Sequence, residues 1–349
     1  MAQNITVKAP GVVKLLGEHA AVYGKLSIAA AVSLYASASA RTVKNNRLTI
    51  KLTDLKESTK LSSRVLSRLY QSYTLKESPT SYMQTTPGIS KDILPYATIA
   101  ARLQEEFKVS VTGKTIRISS KIPKRSGLAS SASCYAAFTV ALIKAAGADL
   151  QDDKIVDVAR DGERVAHLNM GAGSIDVNTS FFGGYVSYSS EQGARREAFE
   201  ASPMLLLINT GPKRPTSETV GHVATLYKEK KDETEEVLNR IQQCSLSGIA
   251  ALRDGDLKRL GSIMLEDQEL LKQLGVSSQE LDKAVGVAVR NGALGAKLSG
   301  GGGGGMAIAL VRGGQRTMKA ALEKEGFAVF KARVSKEGAA HYLRLTATA

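Results

Sequence analysis

IPKRSGLASSASCYAAF, residues 122–138, decides the fold. Pro123 and Gly127 punctuate a turn, and Ser130 and Ser131 open a run of small and apolar residues that reads as a helix to about Ala146. The first amides of a helix have no intrahelical acceptor and sit at the positive end of its dipole, so such an opening can hold an anion. Two readings fit: a phosphate cradle over Gly127–Ser131, or Ser130 as the cap of an alanine-rich core helix. The pattern is not a Walker A loop, which needs a lysine directly before the Ser/Thr.

Working outward, Ile116 and Ile118 alternate as a strand feeding this turn, and a helix is expected from about Asp152 to His167. GAGSIDVNTSFFGG, residues 171–184, follows, with Asp176 in a glycine-flanked loop as a turn former or a base, and Phe181–Tyr188 reads as a strand. Towards the N-terminus, Ile5–Leu16 reads as strand, turn, strand about Pro10–Gly11, and Leu26–Ala40 as a buried strand. Lys44–Pro95 is polar, with one amphipathic helix suggested by Leu61, Val65, Leu66, Leu69 and Tyr70.

A second unit begins near Met204 with the strand LLLINTG. Helices are expected over Ser217–Cys244, Leu257–Leu274 and Leu281–Asn291, and a strand over Met306–Val311. Mixed strands and helices in both halves indicate an α+β protein of two domains, 1–195 and 196–349, with a cleft between them.

The 349 residues carry 47 Lys plus Arg against 33 Asp plus Glu, a net charge of +14. With 43% hydrophobic and 23% charged residues, the chain has ordinary globular usage, which argues against disorder, collagen and coiled coil. The positive charges are scattered, tryptophan is absent and aromatics are 5%, so a stacking platform for nucleic acid has little material. Anionic small molecules are the preferred partners, with no nucleic acid and no membrane. Two cysteines, Cys134 and Cys244, make no disulfide framework or zinc spacing, and the first residues lack a signal-peptide pattern, so a cytoplasmic location is expected.

Two further segments carry chemistry. AKLSGGGGGGMAIAL contains six consecutive glycines, Gly300–Gly305, directly before an apolar strand. Ordering such a run is costly and makes sense where backbone must closely approach a ligand or another backbone. APGVVKLLGEHAAVYG, residues 9–24, places Lys14 inside an apolar run, where a buried ammonium needs an anion unless its head reaches water.

Together these segments resemble the GHMP kinase superfamily and, within it, the mevalonate kinase family. GEHAAVYGK is similar to its first motif, PKRSGLASSAS to its second and KLSGGGGGG to its third; NTGPKRPTSETV (209–220) and LGVSSQELDKAVGVAVRNGALGAKLSG (274–300) follow the later pattern. The resemblance implies transfer of the γ-phosphoryl group of MgATP to the 5-hydroxyl of mevalonate in isoprenoid precursor synthesis, and permits a homodimer. It makes Asp176 the catalytic carboxylate and Lys14 the cation that stabilises developing charge. Pro123, Gly127, Leu128, Ala129, Ser130, Ser131 and Ala132 would wrap the triphosphate, with Gly301 and Gly302 as further nucleotide-binding residues that brace them. Glu18, His19 and Thr216 would lie at the mevalonate end, with Ser131 and Glu163 on Mg²⁺.

Three departures stand out. The family lysine that directly follows Pro-Gly is Val12 here, and Lys14, two residues later on the same strand face, is the expected replacement. Eleven residues before Asp176, where relatives carry a metal-binding glutamate, stands Val165, or Ala166 with one deletion; Glu163 is about one helical turn away, and His167 or water is the alternative. GLASSAS and FFGGYV look like diphosphomevalonate decarboxylase, whereas GEHAAVYG and KLSGGGGGG are kinase features. The rival expectations are therefore that decarboxylase, a phosphomevalonate kinase, a mevalonate 3-kinase, or a non-catalytic binding protein of the same fold.

Overall fold

A 16-residue strand of small and apolar residues organises the first half of the chain. The computed structural model describes residues 4–75, 88–123, 126–167, 174–211 and 215–345. Strand β2 (Ser27–Thr42) is long enough to pair with β1 (Ile5–Leu16) along one edge, and with β5 (Lys114–Ser120) and β6 (Tyr185–Ser189) in succession along the other. With β3 (Arg47–Leu52), β4 (Glu57–Ser62) and β7 (Gly193–Glu197) these form a seven-stranded sheet ordered β4-β3-β5-β2-β6-β7, with β1 beside β2; β3 and β5 run parallel.

Helices α1 (Ser63–Thr74), α2 (Leu94–Glu105), α3 (Ser130–Ala146), α4 (Asp152–Ala166) and α5 (Ser174–Phe182) complete this unit. The alanines of α3 let it pack directly on β1 and β2, and Ala132–Ile143 are all buried. Next come β8 (Met204–Asn209), α6 (Thr216–Glu229), α7 (Lys231–Asp254), α8 (Leu257–Gln273), α9 (Gln279–Arg290), β9 (Gly295–Ser299), β10 (Met306–Val311), α10 (Gln315–Lys324), β11 (Ala328–Arg333) and α11 (His341–Arg344). The second sheet is antiparallel, ordered β11-β8-β10-β9. One continuous apolar cluster runs through both units. Among the described residues no helix is long and apolar enough to cross a membrane, and both cysteines are free and buried.

The α+β expectation holds, but several elements differ from the sequence reading. Ile5–Leu16 is one strand with a register shift at Pro10/Gly11, where a bulge replaces the expected turn. The freed Pro10 carbonyl accepts from the hydroxyls of Ser133 (2.8 Å) and Ser180 (3.0 Å), which fastens the bulge to α3 and α5. Leu61 belongs to the β3–β4 hairpin, which weak alternation in a polar segment concealed. Asp176 lies in the first turn of α5 instead of a loop, and α5 occupies the beginning of the expected Phe181–Tyr188 strand. The helix expected over Ser217–Cys244 is two, α6 and α7, broken at Lys230. The glycine-rich turn at 168–173 and residues 212–214 of the NTGPKRPTSETV segment lie outside the described residues, as does 76–87 within the polar stretch.

After β11 the chain returns to the first unit. Val334 bridges Val32, Ser335 N–H donates to Ala31 O (2.9 Å), and the amides of Ala339 and Ala340 donate to Ser180 O (3.1 Å) and Phe181 O (2.8 Å) at the end of α5. The tail thus supplies donors for carbonyls that a helix leaves unpaired at its C-terminus. Gly338 makes this approach possible, since a Cβ there would stand 2.3 Å from Phe181 O and 2.4 Å from Gly183 N. Gly338→Ala is expected to destabilise the protein by about 1–3 kcal/mol through overpacking, measured by urea unfolding, with a parental midpoint counting against this account of the tail.

Candidate functional site

A cleft of about 1190 Å³ opens between the two units. One wall is the start of α3. Gly127 and Ala129 both adopt positive φ, 85° and 51°, and bring the chain abruptly into the helix, with no side chain among the described residues capping its first amides. A non-glycine residue in this region is strained, which is more common at functional sites. Pro123, Gly127, Leu128, Ala129, Ser130 and Ser131 line the cleft. The Leu128 carbonyl accepts from Val12 N–H (3.0 Å), and Ser130 Oγ lies 3.1 Å from Ser120 Oγ.

Two residues expected to touch nucleotide lie behind this wall. Ala132 is wholly buried, because its side chain turns from the helix opening into the core. Gly302 backs onto the second unit: a Cβ there would stand 2.1 Å from Val276 O, which accepts from Gly303 N–H at 2.8 Å. Gly300 and Gly301 do face the cleft. Gly301 packs against Thr216 at the start of α6, where a Cβ would come within 2.9 Å of the threonine methyl. Thr216 also lines the cleft.

Lys14 and Asp176 meet on the cleft surface. The Lys14 ammonium donates to Asp176 Oδ1, and both side chains retain about a fifth to a quarter of their exposure, 21% and 24%. Val12, in the position of the family lysine, lies in a small apolar cluster with Ala29, Ile175 and Val186. Lys14, two residues along the same strand face, continues to the carboxylate beside Ile175.

His19 is almost wholly buried in left-handed backbone, with Nε2 3.1 Å from Gly301 O. Burial lowers its pKa, so the ring is neutral at neutral pH. Because a carbonyl only accepts, Nε2 carries the proton, leaving Nδ1 as an acceptor. Glu18 borders the cleft, but its carboxylate is engaged with the second unit, where Oε1 accepts from the buried Lys297 ammonium. Lys297 is also 3.3 Å from Asp267 Oδ2.

Glu163, on α4, lines the cleft with Ser131. Its Oε2 is 3.4 Å from His167 Nε2, and its buried Oε1 has no hydrogen-bond partner among the described residues. Among the described residues no group of three or more His, Cys, Asp or Glu side chains is placed to hold a metal. Mg²⁺ needs no such group, since it retains waters and takes one or two carboxylates together with phosphate oxygens. The opposite face of α4 is anchored through the fully buried Asp161, which accepts from Arg102 (2.8 Å), Tyr73 (2.7 Å) and Arg164.

Sequence reading missed the other end of the cleft, where Leu52 and Leu55 face Tyr96 and Tyr135. Its first side comes from the unrecognised hairpin, so no local signal marked it. Lys297 and Asp267 were missed as well, although Lys297 shows the signal used for Lys14: a charge inside an apolar strand.

The chain matches the model of the GHMP kinases N terminal domain over residues 94–184 and that of the GHMP kinases C terminal domain over 249–329. The mevalonate kinase of Thermococcus sibiricus is 32% identical over 318 residues, covering 88% of this chain and 89% of the relative. That of Aeropyrum pernix is 30% identical over 316 residues, covering 90% and 91%. Among solved structures, the Methanococcus jannaschii mevalonate kinase superposes with a TM-score of 0.79 at 26% identity, covering 95% of this chain and 98% of that one.

The buried acidic pair predicts a pH dependence. Burial pushes the Asp267 carboxyl up to about 8, against the partly offsetting attraction of Lys297, whereas an unfolded aspartate titrates near 4. The folded protein therefore holds a proton that the unfolded chain releases. The stability this supplies is complete below about pH 4 and is lost as pH rises towards 8. Asp267→Asn is expected to remove that slope, so that its unfolding free energy increasingly exceeds the parent's between about pH 5 and 8. Parallel curves in urea titrations would show that Asp267 is ionised in the fold.

Proposed function

The chain belongs to the GHMP kinase family and, within it, to the mevalonate kinases; from that premise we propose that it transfers the γ-phosphoryl group of ATP to the 5-hydroxyl of mevalonate, giving 5-phosphomevalonate and ADP. The observation that carries the site assignment is the Lys14–Asp176 pair in the same cleft as the uncapped start of α3. Phosphoryl transfer requires positioning and charge stabilisation more than covalent participation by the protein.

The first amides of α3, entered through Gly127 and Ala129, hold the phosphates at the positive end of the helix. Asp176 orients the substrate hydroxyl and accepts its proton, while Lys14, paired with it, stabilises negative charge on the transferred group. Neutral His19, with Nδ1 as an acceptor, is suited to a substrate hydroxyl, and Thr216 flanks it across Gly301. Glu18 supports the turn that carries His19. Ser131 and Glu163 would hold Mg²⁺, which fits the unpartnered Glu163 Oε1 and supplies charge neutralisation on the phosphates when bound. Free buried cysteines suit a reducing cytoplasm.

The test is ADP release with MgATP and mevalonate, phosphomevalonate or diphosphomevalonate, with products identified by phosphorus NMR and gas release monitored. The expected result is 5-phosphomevalonate without CO₂; a 3-phosphorylated product, or CO₂ from diphosphomevalonate, overturns the reading. Lys14→Met is expected to lower kcat by about a hundredfold or more, in the range for loss of one charge-stabilising donor. Near-parental turnover would remove Lys14 from the chemistry. Glu163→Ala is expected to raise the Mg²⁺ concentration required for half-maximal rate, and an unchanged requirement would exclude it as a ligand.

A further inference from the structure

Lys297 stands in the apolar strand β9 with no exposed surface, between buried Ala296 and Leu298. An ammonium is tolerated in such a place only with anionic or carbonyl partners. Three groups meet it: Glu18 Oε1 from the turn after β1, Asp267 Oδ2 at 3.3 Å from α8, and the Leu298 carbonyl at 2.7 Å. Two belong to its own unit, and Glu18 reaches it from the other.

Two residues further along β9, Ser299 makes a second link across the same seam. Its hydroxyl accepts from Lys14 N–H at 2.9 Å and donates to Lys14 O at 3.1 Å. Strand side chains two apart share a face, so β9 presents Lys297 and Ser299 together, one to Glu18 and the other to the backbone of Lys14. The residue after Glu18 is His19, with its strained backbone and its hydrogen bond to Gly301.

We propose that Lys297 is a positioning residue for phosphoryl transfer: through Glu18 it holds the turn that carries His19, and the strand end that carries Lys14, in register with the cleft. This rests on the function proposed above. Lys297 faces two carboxylates, so full ionisation would leave one excess negative charge buried. A proton on Asp267 removes that excess. The other titratable groups acting on this cluster are His19 from the turn, Cys244 and Arg240 from α7, Glu266 from α8, and His222 from α6 through His19. Burial keeps His19 and Cys244 uncharged at neutral pH.

A pin that only stabilises the fold would change the melting temperature and the active fraction. A positioning residue also changes the substrate constants selectively. Lys297→Met is therefore assayed with both substrates varied, beside Asp267→Asn. The expected result is a rise of about tenfold or more in KM for mevalonate and a fall in kcat, with KM for ATP within about twofold, as misplacement of one substrate's contacts requires. Asp267→Asn should match the parent at pH 7. Unchanged KM for mevalonate in folded Lys297→Met, or equal rises for both substrates, overturns the proposal. So does a comparable loss in Asp267→Asn.

If Lys297→Met does not fold, Lys297→Gln combined with Glu18→Gln, which buries no charge at these two positions, is measured in its place. The same selective rise is expected, and parental constants overturn the proposal. A second readout is independent of the substrate assigned. The chain has four histidines, so the His19 imidazole signals are identified by comparison with His19→Asn. Lys297→Met, or the double variant, should shift them while Asp267→Asn at pH 7 leaves them in place. Unmoved His19 signals overturn the positioning role even if the parent phosphorylates a different compound, and shifted signals without mevalonate turnover place the failure in the functional reading.

Discussion

The end of β1 is held against the edge of the second sheet, and the cleft depends on that seam. Lys14 is joined to Ser299 through its backbone, Glu18 to Lys297 through a buried ion pair, and His19 to Gly301 through its ring. All three contacts join the first glycine-containing motif to the last. A buried ion pair is weak evidence for stability, because desolvation offsets most of its attraction. Its geometric effect is stronger, since neither partner can move far without leaving an uncompensated charge.

The glycines belong to the same constraint. At Gly301 the glycine run approaches α6 too closely for a side chain, and at Gly302 the backbone lies almost on the Val276 carbonyl. The run of glycines is thus in part a packed seam, with the Gly303 amide and the Gly301 and Gly305 carbonyls hydrogen-bonded to other segments. The bulge at Pro10–Gly11 works similarly on the other side: it interrupts the β1 ladder, and Val12 N–H then reaches Leu128 O in the second motif. The three motifs consequently meet through backbone contacts that side-chain chemistry alone would not reveal.

Parts of this were legible in the chain itself. The helix opening at Ser130, the apolar strand after the glycines and the lysine inside Val13–Leu15 follow from local pattern, because periodicity and a misplaced charge are properties of a few neighbouring residues. The β3–β4 hairpin was hidden because its alternation is weak, with polar residues along β4 only half covered by the fold. Asp176 was read into a loop because glycines surround it, yet packing against α3 and β1 draws it into the first turn of a helix.

The sequence by itself determined the mixed α+β class, the three motifs, their family resemblance and the residue types available for phosphate and proton chemistry. The tertiary structure decided which of those residues face the cleft. It turned Ala132 and Gly302 away, brought Lys14 to Asp176 across 162 positions, and tied Glu18 to a lysine 279 positions distant. Local pattern reports which face of a strand or helix is apolar, whereas the partner of a buried charge is chosen by packing between elements far apart in the chain.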